Sequence, residues 1–257
     1  MTFEWMAKIV SNYWPMFLRG AGMTLLIALI GTIIGFVIGL LVGVIRTVPM
    51  PEKGIKRIIL KIVNAILTIY IEVFRGTPMM VQAVVVFYGA ALFLNMDMNR
   101  LFAALLIVSI NTGAYMAEIV RGGIISIDKG QFEAAHAIGM NHWQTMVNVV
   151  MPQVIRNILP PTGNEFVINI KDTSVLSVIS VSELFFSTKT VAGNYFRYFE
   201  AFFIAGVLYL IMTLSVTRIL RYIERRMDGP ENYTLLGNQM QVQTPEDMLR
   251  RQAQTNR

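Results

Sequence analysis

The sequence predicts an all-α integral membrane protein with five transmembrane helices. Of its 257 residues, 54% are hydrophobic and 15% are charged, whereas soluble domains carry about 25% charged residues. The mean hydropathy is +0.55. Residues 20–45 contain no charged side chain, and a helix of that length reaches about 39 Å, more than the roughly 30 Å of a bilayer's hydrocarbon core. Residues 79–96 and 101–117 are uncharged as well.

The first apolar stretch is expected to be a retained helix and not a cleaved signal. Lys8, Trp14, Pro15 and Arg19 interrupt any short apolar run before it, and no small-residue cleavage motif precedes it. We therefore assign residues 1–16 to an extracytoplasmic or interfacial segment. The transmembrane domain is predicted to comprise residues 17–222.

Basic residues orient the predicted spans, because the cytoplasmic loops of membrane proteins are enriched in Lys and Arg. One cluster follows the first span and another follows the last apolar stretch, residues 199–220. Their members are Arg46, Lys53, Lys56, Arg57 and Lys61 in the first, and Arg218, Arg221, Arg225 and Arg226 in the second. If both clusters are cytoplasmic, an even number of crossings separates them. The N-terminus is then outside and the C-terminus inside.

Four later crossings satisfy this parity: residues 56–94, 99–120, about 146–170, and 199–220. The first of these is interrupted by Arg75-Gly76-Thr77-Pro78, so it fits one kinked crossing or two short helices. If residues 56–94 formed two full crossings, the number of crossings between the two basic clusters would be odd unless residues 143–187 were recounted. We therefore prefer one kinked crossing. Residues 121–145 then form a cytoplasmic loop, and residues 223–257 form a polar cytoplasmic tail.

The crossing near residues 146–170 is the least suited to lipid. It and its end carry prolines, amides and charges: Pro152, Arg156, Pro160, Pro161, Asn164, Glu165, Asn169, Lys171 and Asp172. Such a segment at membrane depth must be buried in protein or face a water-filled cavity, and ionisable groups in spans usually mark a substrate or ion path. The alternative is that much of this stretch is an interfacial loop.

Four glycines in the first span lie four residues apart, at Gly31, Gly35, Gly39 and Gly43. This spacing places them along one helix stripe, where another backbone can approach closely. The stripe therefore predicts tight helix packing. Its partner is either a helix of the same chain or a second copy.

Catalysis and nucleic-acid binding are not expected. The sequence contains no Gly-x4-Gly-Lys-Ser/Thr phosphate loop, no His-Glu-x-x-His and no Gly-x-Ser-x-Gly. His136 and His142, its only histidines, are six residues apart, which does not place two metal ligands on one helix face. Cysteine is absent, and Lys- and Arg-rich cytoplasmic loops explain the net charge of +6.

The loop at residues 121–145 contains a short predicted helix. Asp128 and Glu133 lie near its N-terminal end, where negative charge is favourable, and Ala134, Ala135 and Ala137 favour the helical state with little bulk. Gly139 allows the chain to turn before the next element begins at residues 141–143. Such a helix suits a groove of another protein, or it is a short interfacial helix joining two spans.

This loop resembles the signature of ABC-importer permeases, Glu-Ala-Ala-x3-Gly-x9-Ile-x-Leu-Pro. The matching positions are Glu133, Ala134, Ala135, Gly139 and Pro152, with Val149 and Met151 replacing the usual Ile and Leu. Further stretches resemble the polar amino-acid uptake branch: residues 72–78 (EVFRGTP), 117–124 (AEIVRGGI), 164–166 (NEF) and 171–174 (KDTS). The resemblance covers about residues 15–222.

The resemblance implies the type I ABC importer transmembrane fold, in a bacterial inner membrane. It implies pairing with an identical or related permease, and delivery of an amino acid by an extracytoplasmic binding protein. ATP and Mg²⁺ would be bound by a cytoplasmic ABC ATPase dimer, so no cofactor is expected in this chain. The ATPase would be contacted by a coupling helix whose residues are Glu133, Ala134, Ala135, His136 and Gly139.

An amino-acid substrate needs partners for its carboxylate and its ammonium group. Arg75 beside the helix break is a candidate for the carboxylate, and four acidic residues are candidates for the ammonium. The predicted path is Glu72, Arg75, Gly76, Thr77, Asn111, Tyr115, Glu118, Glu165 and Asp172. The alternative for each charge is an interhelical salt bridge, such as Arg75 with Glu72. For Arg121 and Glu118 the alternative is that they only mark a cytoplasmic helix end.

The alternative function is an ion-coupled secondary amino-acid transporter in which Glu165 or Asp172 is the coupling site. Inverted repeats would favour it, and none is evident in the sequence. The sequence leaves open which amino acid is carried and whether the two permease chains are identical.

Overall fold

The computed structural model describes residues 2–228, and in that range the chain is helical along most of its length. The helices are α1 (Thr2–Ile45), α2 (Ile55–Gly76), α3 (Met79–Leu94), α4 (Arg100–Ile125), α5 (Lys129–Ala137), α6 (His142–Thr145), α7 (Met151–Asp172), α8 (Leu184–Tyr195) and α9 (Tyr198–Asp228). A π-helical turn, Met146–Val150, precedes α7, and a 3₁₀ segment, Thr173–Ile179, follows it.

Three of these helices, α1, α4 and α9, are each long and apolar enough to cross a membrane. Two further pairs pass the same test only together: α2 with α3, bent by 112°, and the segment His142–Ile179 with α8, bent by 55°. Counting each bent pair as one span gives five within residues 2–228, in agreement with the predicted number.

Several boundaries differ from the prediction. Residues 2–16 are not a separate segment but the start of α1, whose helix continues through Pro15 for 44 residues. The fourth predicted crossing does not end near residue 170, because the chain continues as a 3₁₀ segment and then as α8 to Tyr195. Residues 223–228, predicted as tail, extend α9, and residues 229–257 lie outside the described part of the chain.

The glycine stripe of α1 packs against α4. A Cβ atom placed on Gly35 would lie 2.7 Å from Thr112 Cβ, and one on Gly43 would lie 2.8 Å from Val120 Cβ. Both separations are shorter than van der Waals contact. The backbones of α1 and α4 can therefore lie this close together only because the glycines have no Cβ atom. Gly31 of α1 faces Val108 of α4, and Gly39 of α1 faces Met116 of α4. The helix against which the stripe packs thus belongs to the same chain.

Three of the four apolar clusters in residues 2–228 position α3, α7, α8 and α9 around the α1–α4 pair, and the fourth holds α2 against it. One joins α1, α3 and α4 to the 3₁₀ segment through Ile27, Ile107 and Ile179. The second joins α1 to α7, α8 and α9, and the third joins the end of α4 to the π-helical turn and α7. The polar residues of α4 and α7 are left facing the α2–α3 break.

Candidate functional site

A polar cavity of about 860 Å³ lies between the α2–α3 break, α4 and α7. That volume falls within the range of small-molecule sites, about 300–1,000 Å³. Eight of the nine predicted path residues line it: Arg75, Gly76, Thr77, Asn111, Tyr115, Glu118, Glu165 and Asp172. Glu72 does not. Its side chain is exposed on α2, outside the cavity lining.

The α2–α3 break is stabilised by two amide side chains. The Gln82 amide donates to the carbonyl oxygens of Phe74 and Thr77, each at 2.9 Å, and to Thr77 Oγ1 at 3.0 Å. Asn111 of α4 donates to the Phe74 carbonyl at 3.1 Å and to Gln82 Oε1 at 2.9 Å. The break leaves carbonyl groups without helical partners, and these bonds satisfy them.

Asn111 therefore holds the break in place in addition to lining the cavity. Sequence reasoning missed Gln82, which is 7% exposed. Its signal was present in the sequence: it is one of very few polar side chains in the uncharged run of residues 79–96.

A second polar network ties α7 to α1 and α4. Asn169 Nδ2 donates to Thr32 Oγ1 at 2.8 Å and to Thr112 Oγ1 at 3.0 Å. Asn169 is 3% exposed and both threonines are buried. Neither threonine was nominated from the sequence, because isolated threonines in apolar helices give no local signal of a partner. The network fixes the wall of the cavity formed by α7.

Arg75 projects toward α4 and not toward its helix neighbour Glu72. Its guanidinium lies 5.3 Å from the centroid of the Tyr115 ring, a distance at which a cation is attracted to the ring face. No ion pair joins Arg75 to Glu72 or to any other described residue, so the Arg75–Glu72 ion pair considered above is wrong. Arg75 is a cation at the cavity wall with its charge unpaired.

Glu118 differs from the other predicted acids because it is neutralised by neighbouring arginines. Arg46, at the end of α1, donates to Glu118 Oε1, and Arg121 Nη2 lies 3.2 Å from Glu118 Oε2. Arg46 also reaches Thr68 of α2 at 3.5 Å. The helix-end alternative therefore describes Glu118 and Arg121. Although Glu118 lines the cavity, its charge is balanced by the ends of α1 and α4.

Glu165 and Asp172 lie on one face of α7, two turns apart, and both line the cavity. Glu165 is 6% exposed. Within residues 2–228 neither carboxylate forms an ion pair, and neither side chain is hydrogen bonded to another residue. The cavity thus has an unpaired cation on the α2 side and two unpaired carboxylates on the α7 side.

Glu183, which sequence reasoning did not consider, is a buried carboxylate with a complete set of partners. It caps α8 by accepting from the backbone N–H groups of Phe185 at 2.8 Å and Phe186 at 2.7 Å. Tyr209 Oη and Thr24 Oγ1 also donate to it, at 3.0 and 3.4 Å. The bend between the 3₁₀ segment and α8 is stabilised by these bonds, so we assign Glu183 a structural role.

The predicted coupling helix is α5. Asp128 caps it by accepting from Gly130 N at 2.6 Å, and Gly139 ends it with φ +81°, a left-handed conformation that glycine adopts without strain. Asn141 and Gln144 then form a reciprocal cap that begins α6. Each of these features agrees with a short helix, a turn at Gly139 and a new element at residues 141–143.

Four of the five predicted coupling residues lie on the outward surface of α5 and its turn: Glu133, Ala134, His136 and Gly139. Ala135 does not, since it is 3% exposed and faces the rest of the subunit. Beside them, Ile138 is 78% and Trp143 is 75% exposed. An outward surface with small side chains and two large apolar ones is suited to contact with another protein.

Comparisons with known proteins agree with this architecture. The family model described as binding-protein-dependent transport system inner membrane component matches residues 54–229. The glutamine transport system permease protein GlnP of Escherichia coli (strain K12) is 39% identical over 231 residues, covering 88% of this chain and 99% of that protein. The arginine transport system permease protein ArtQ of Bacillus subtilis (strain 168) is 34% identical over 158 residues, 62% of this chain and 72% of that one.

Solved structures show the same fold. The crystal structure of an amino acid ABC transporter with histidines is similar with a TM-score of 0.74 at 35% identity, covering 84% of this chain and 96% of that chain. The inward-facing MetNI methionine ABC transporter gives a TM-score of 0.68 at 20% identity, over 85% and 99% of the two chains.

Proposed function

The chain belongs to the family of inner membrane components of binding-protein-dependent transport systems, and from this premise we propose that it is the permease subunit of an ABC importer for polar amino acids. The observation that carries the proposal is the cavity, where an unpaired Arg75 faces two unpaired carboxylates. A free amino acid presents the complementary pair of charges. The relatives named for glutamine and arginine transport support this substrate class.

The substrate path passes the α2–α3 break. Arg75 attracts the substrate's α-carboxylate, and the backbone of Gly76 and Thr77 provides further polar groups at the same level. Glu165 and Asp172 attract the ammonium side of the substrate. Tyr115 and Asn111 line the path between the two charged regions. Glu118 lines it as well, with its charge balanced by Arg46 and Arg121.

ATP hydrolysis belongs to a separate cytoplasmic ATPase dimer, which binds ATP and Mg²⁺. Helix α5 is the element that contacts it, through Glu133, Ala134, His136 and Gly139, with Ala135 supporting the helix from within. Because each chain supplies one such helix, two permease chains, identical or related, face the ATPase dimer. An extracytoplasmic binding protein delivers the amino acid on the opposite side, where the N-terminus lies. The C-terminus is cytoplasmic.

Movement of α5 reaches the cavity through packed side chains. Phe132 of α5 packs on a cluster that includes Ile127, after α4, Val150 of the π-helical turn and Val154 of α7. Gln153 Nε2 also donates to Gln131 Oε1 at 3.4 Å. Closure of the ATPase dimer therefore biases α4 and α7, which carry the cavity walls. The nucleotide shifts access to the cavity only to the extent that it binds the two states with different affinity.

The test is Ala134→Trp in the complex of permease, ATPase and binding protein, reconstituted in proteoliposomes. The indole adds bulk at an outward position of α5, so we expect amino-acid uptake per ATP hydrolysed to fall about tenfold, as a misfit worth about 1–3 kcal/mol predicts. Ala134→Ser is the matched control and should retain coupling.

Wild-type uptake and hydrolysis by Ala134→Trp would contradict the assignment of α5. Uptake by the permease chain alone, driven by an ion gradient without ATPase, would contradict the importer and would support the secondary transporter in its place.

A further inference from the structure

We propose that a second cavity, between α1 and the start of α8, binds the phosphate group of an anionic phospholipid, and that Arg19 is the residue that pairs with the phosphate. This cavity has a volume of about 400 Å³ and shares no lining residue with the cavity at the α2–α3 break. The inference depends on the position of α1 in the membrane and not on the identity of the transported substrate.

The lining of the second cavity supplies one positive charge. That charge belongs to Arg19, and no carboxylate is among the lining residues that the structure describes. Within residues 2–228, Arg19 forms no ion pair and its side chain forms no hydrogen bond. A guanidinium group whose donors are free matches both the charge and the geometry of a phosphate group.

Two serines of the lining supply hydroxyl donors. Ser187 of α8 is 4% exposed, and its hydroxyl group forms no hydrogen bond with another described residue. Ser182, just before α8, is exposed to the same cavity, and its side chain is also without a hydrogen bond in the described range. Because buried polar groups normally have a partner, we expect the cavity to receive a hydrogen-bond acceptor. Phosphate oxygens are acceptors of this kind.

The second cavity lies at the membrane boundary. The uncharged run of α1 begins directly after Arg19. The glycine stripe of α1 contacts α4 in one constant register, so the two helices run in the same direction. In that register Arg100, which begins α4, is level with Met23 of α1, about 6 Å along the axis from Arg19. The apolar parts of both helices therefore begin within about one turn of Arg19, which places Arg19 at the depth of the lipid headgroups.

An exposed apolar stripe continues from the second cavity along α1. Its members, Gly22, Leu26, Leu29 and Ile33, follow Arg19 at intervals of three or four residues, so they lie on the same helix face. The three large side chains of the stripe are 42% to 55% exposed. A phosphate group at Arg19 thus lies beside a surface for acyl chains. A phospholipid contacts both the cavity and the stripe, whereas a free phosphate ion gains nothing from the stripe.

The charge of the lining favours an anionic headgroup over a zwitterionic one. The ammonium group of a zwitterionic headgroup finds no carboxylate among the described lining residues. The hydroxyl groups of a glycerol headgroup, in contrast, can bond with the Asn12 amide and the Ser182 hydroxyl group, which both line the cavity. Basic pockets between transmembrane helices bind anionic headgroups in this way.

The test titrates the full chain, purified in a non-ionic detergent, with dioleoyl phosphatidylglycerol and with dioleoyl phosphatidylcholine. Native mass spectrometry measures the two dissociation constants. We expect phosphatidylglycerol to bind at least about tenfold tighter than phosphatidylcholine, the ratio expected for one charge-assisted contact. Arg19→Gln should lose about tenfold in phosphatidylglycerol affinity, and Arg19→Lys, which keeps the positive charge, should lose less.

Arg100→Gln is the matched control, because it makes the same chemical change near the same membrane depth but outside the cavity lining. It should keep phosphatidylglycerol affinity within about twofold. An equal loss in Arg19→Gln and Arg100→Gln would overturn the inference, since it would show only a general attraction of the lipid to basic residues.

Two other outcomes would also overturn it. Displacement of bound phosphatidylglycerol by an excess of inorganic phosphate would assign the cavity to a free anion. Equal affinity of the wild-type chain for the two lipids would exclude a site for an anionic lipid. If Arg19→Gln then weakened the association of the complex with its binding protein, the cavity would belong to a protein contact instead.

Discussion

Asn169 is the side chain at which three helices meet. Its amide belongs to α7, and the hydroxyl groups that accept its hydrogen bonds belong to α1 and α4. Inside a membrane protein the hydrophobic effect does not hold helices together, so interhelical hydrogen bonds and close packing determine which helices associate. The position of the α7 carboxylates relative to Arg75 therefore depends on Asn169, although Asn169 carries no charge.

We expect Asn169→Ala to lower the free energy of unfolding by about 1–3 kcal/mol, because it leaves Thr112 without its partner and removes the link to Thr32. The measurement is the thermal unfolding midpoint of the purified protein in detergent. Asn148→Ala is the control, since the exposed Asn148 amide donates only to Gln144 O, one turn earlier. Equal midpoints for the two variants would show that the network does not hold the helices.

At the scale of elements, the α1–α4 pair is the foundation of the subunit. The glycine stripe brings the two backbones together, and Arg46 at the end of α1 then lies within reach of Glu118 on α4. The broken α2–α3 pair packs on this foundation, and Tyr70 of α2 donates to Ile110 O of α4 at 2.7 Å. Arg75 is held over Tyr115 by that arrangement.

Two glycines of α1 provide a matched test of this seam. A methyl group on Gly35 would meet Thr112, whereas a Cβ on Gly22 would meet no atom within 4 Å. Gly35→Ala should cost about 1–3 kcal/mol by overpacking. Gly22→Ala should be neutral or stabilise by about 0.5–1 kcal/mol, because alanine is the better helix former.

The measurement is the thermal unfolding midpoint of both variants in the same detergent. Because both variants replace glycine by alanine in α1, the difference between their midpoints reports the close contact at Gly35 and not helix propensity. If Gly35→Ala were as stable as Gly22→Ala, the two helices would not be in close contact at this stripe.

At the scale of the whole molecule, α5 follows the C-terminal end of α4 and packs near the start of α7, whereas the cavity at the α2–α3 break lies beside the C-terminal halves of α4 and α7. A movement of α5 is therefore transmitted to the cavity walls through side chains in contact, in the cluster that contains Ile124, Val150 and Val154. The route requires that α5 lies on the cytoplasmic side and the α3–α4 turn on the other side, as five crossings demand.

This topology predicts opposite labelling of two single cysteines, which the absence of native cysteine makes unambiguous. Met96→Cys, in the exposed turn between α3 and α4, should react in intact cells with a thiol reagent that cannot cross the membrane. Ala137→Cys, in α5, should react only after the cells are opened. Labelling of Ala137→Cys from outside would contradict both the orientation and the contact with an ATPase.

Much of the fold could be predicted because its causes are local. A run of residues such as 20–45 forms a membrane helix by virtue of its own length and apolarity. The break at Gly76-Thr77-Pro78 follows from the missing N–H of proline, and the turn after α5 follows from the freedom of Gly139. The limits of α7 were not predicted well. Its prolines and polar residues are typical of irregular structure, and the sequence does not show that they are buried among other helices.

Sequence alone was thus sufficient for the membrane class, the number of spans, the broken helix, the short helix between α4 and α6, and eight of the thirteen residues that line the cavity at the α2–α3 break. Only the tertiary structure decided which charges are paired. Glu118 is neutralised by Arg46, which is 72 residues away, Arg75 turns to Tyr115 and not to Glu72, and Ala135 faces inward. Such pairings depend on the register between helices that are distant in sequence. Side-chain packing across the whole bundle sets that register, and the sequence does not give the distances between side chains of different helices.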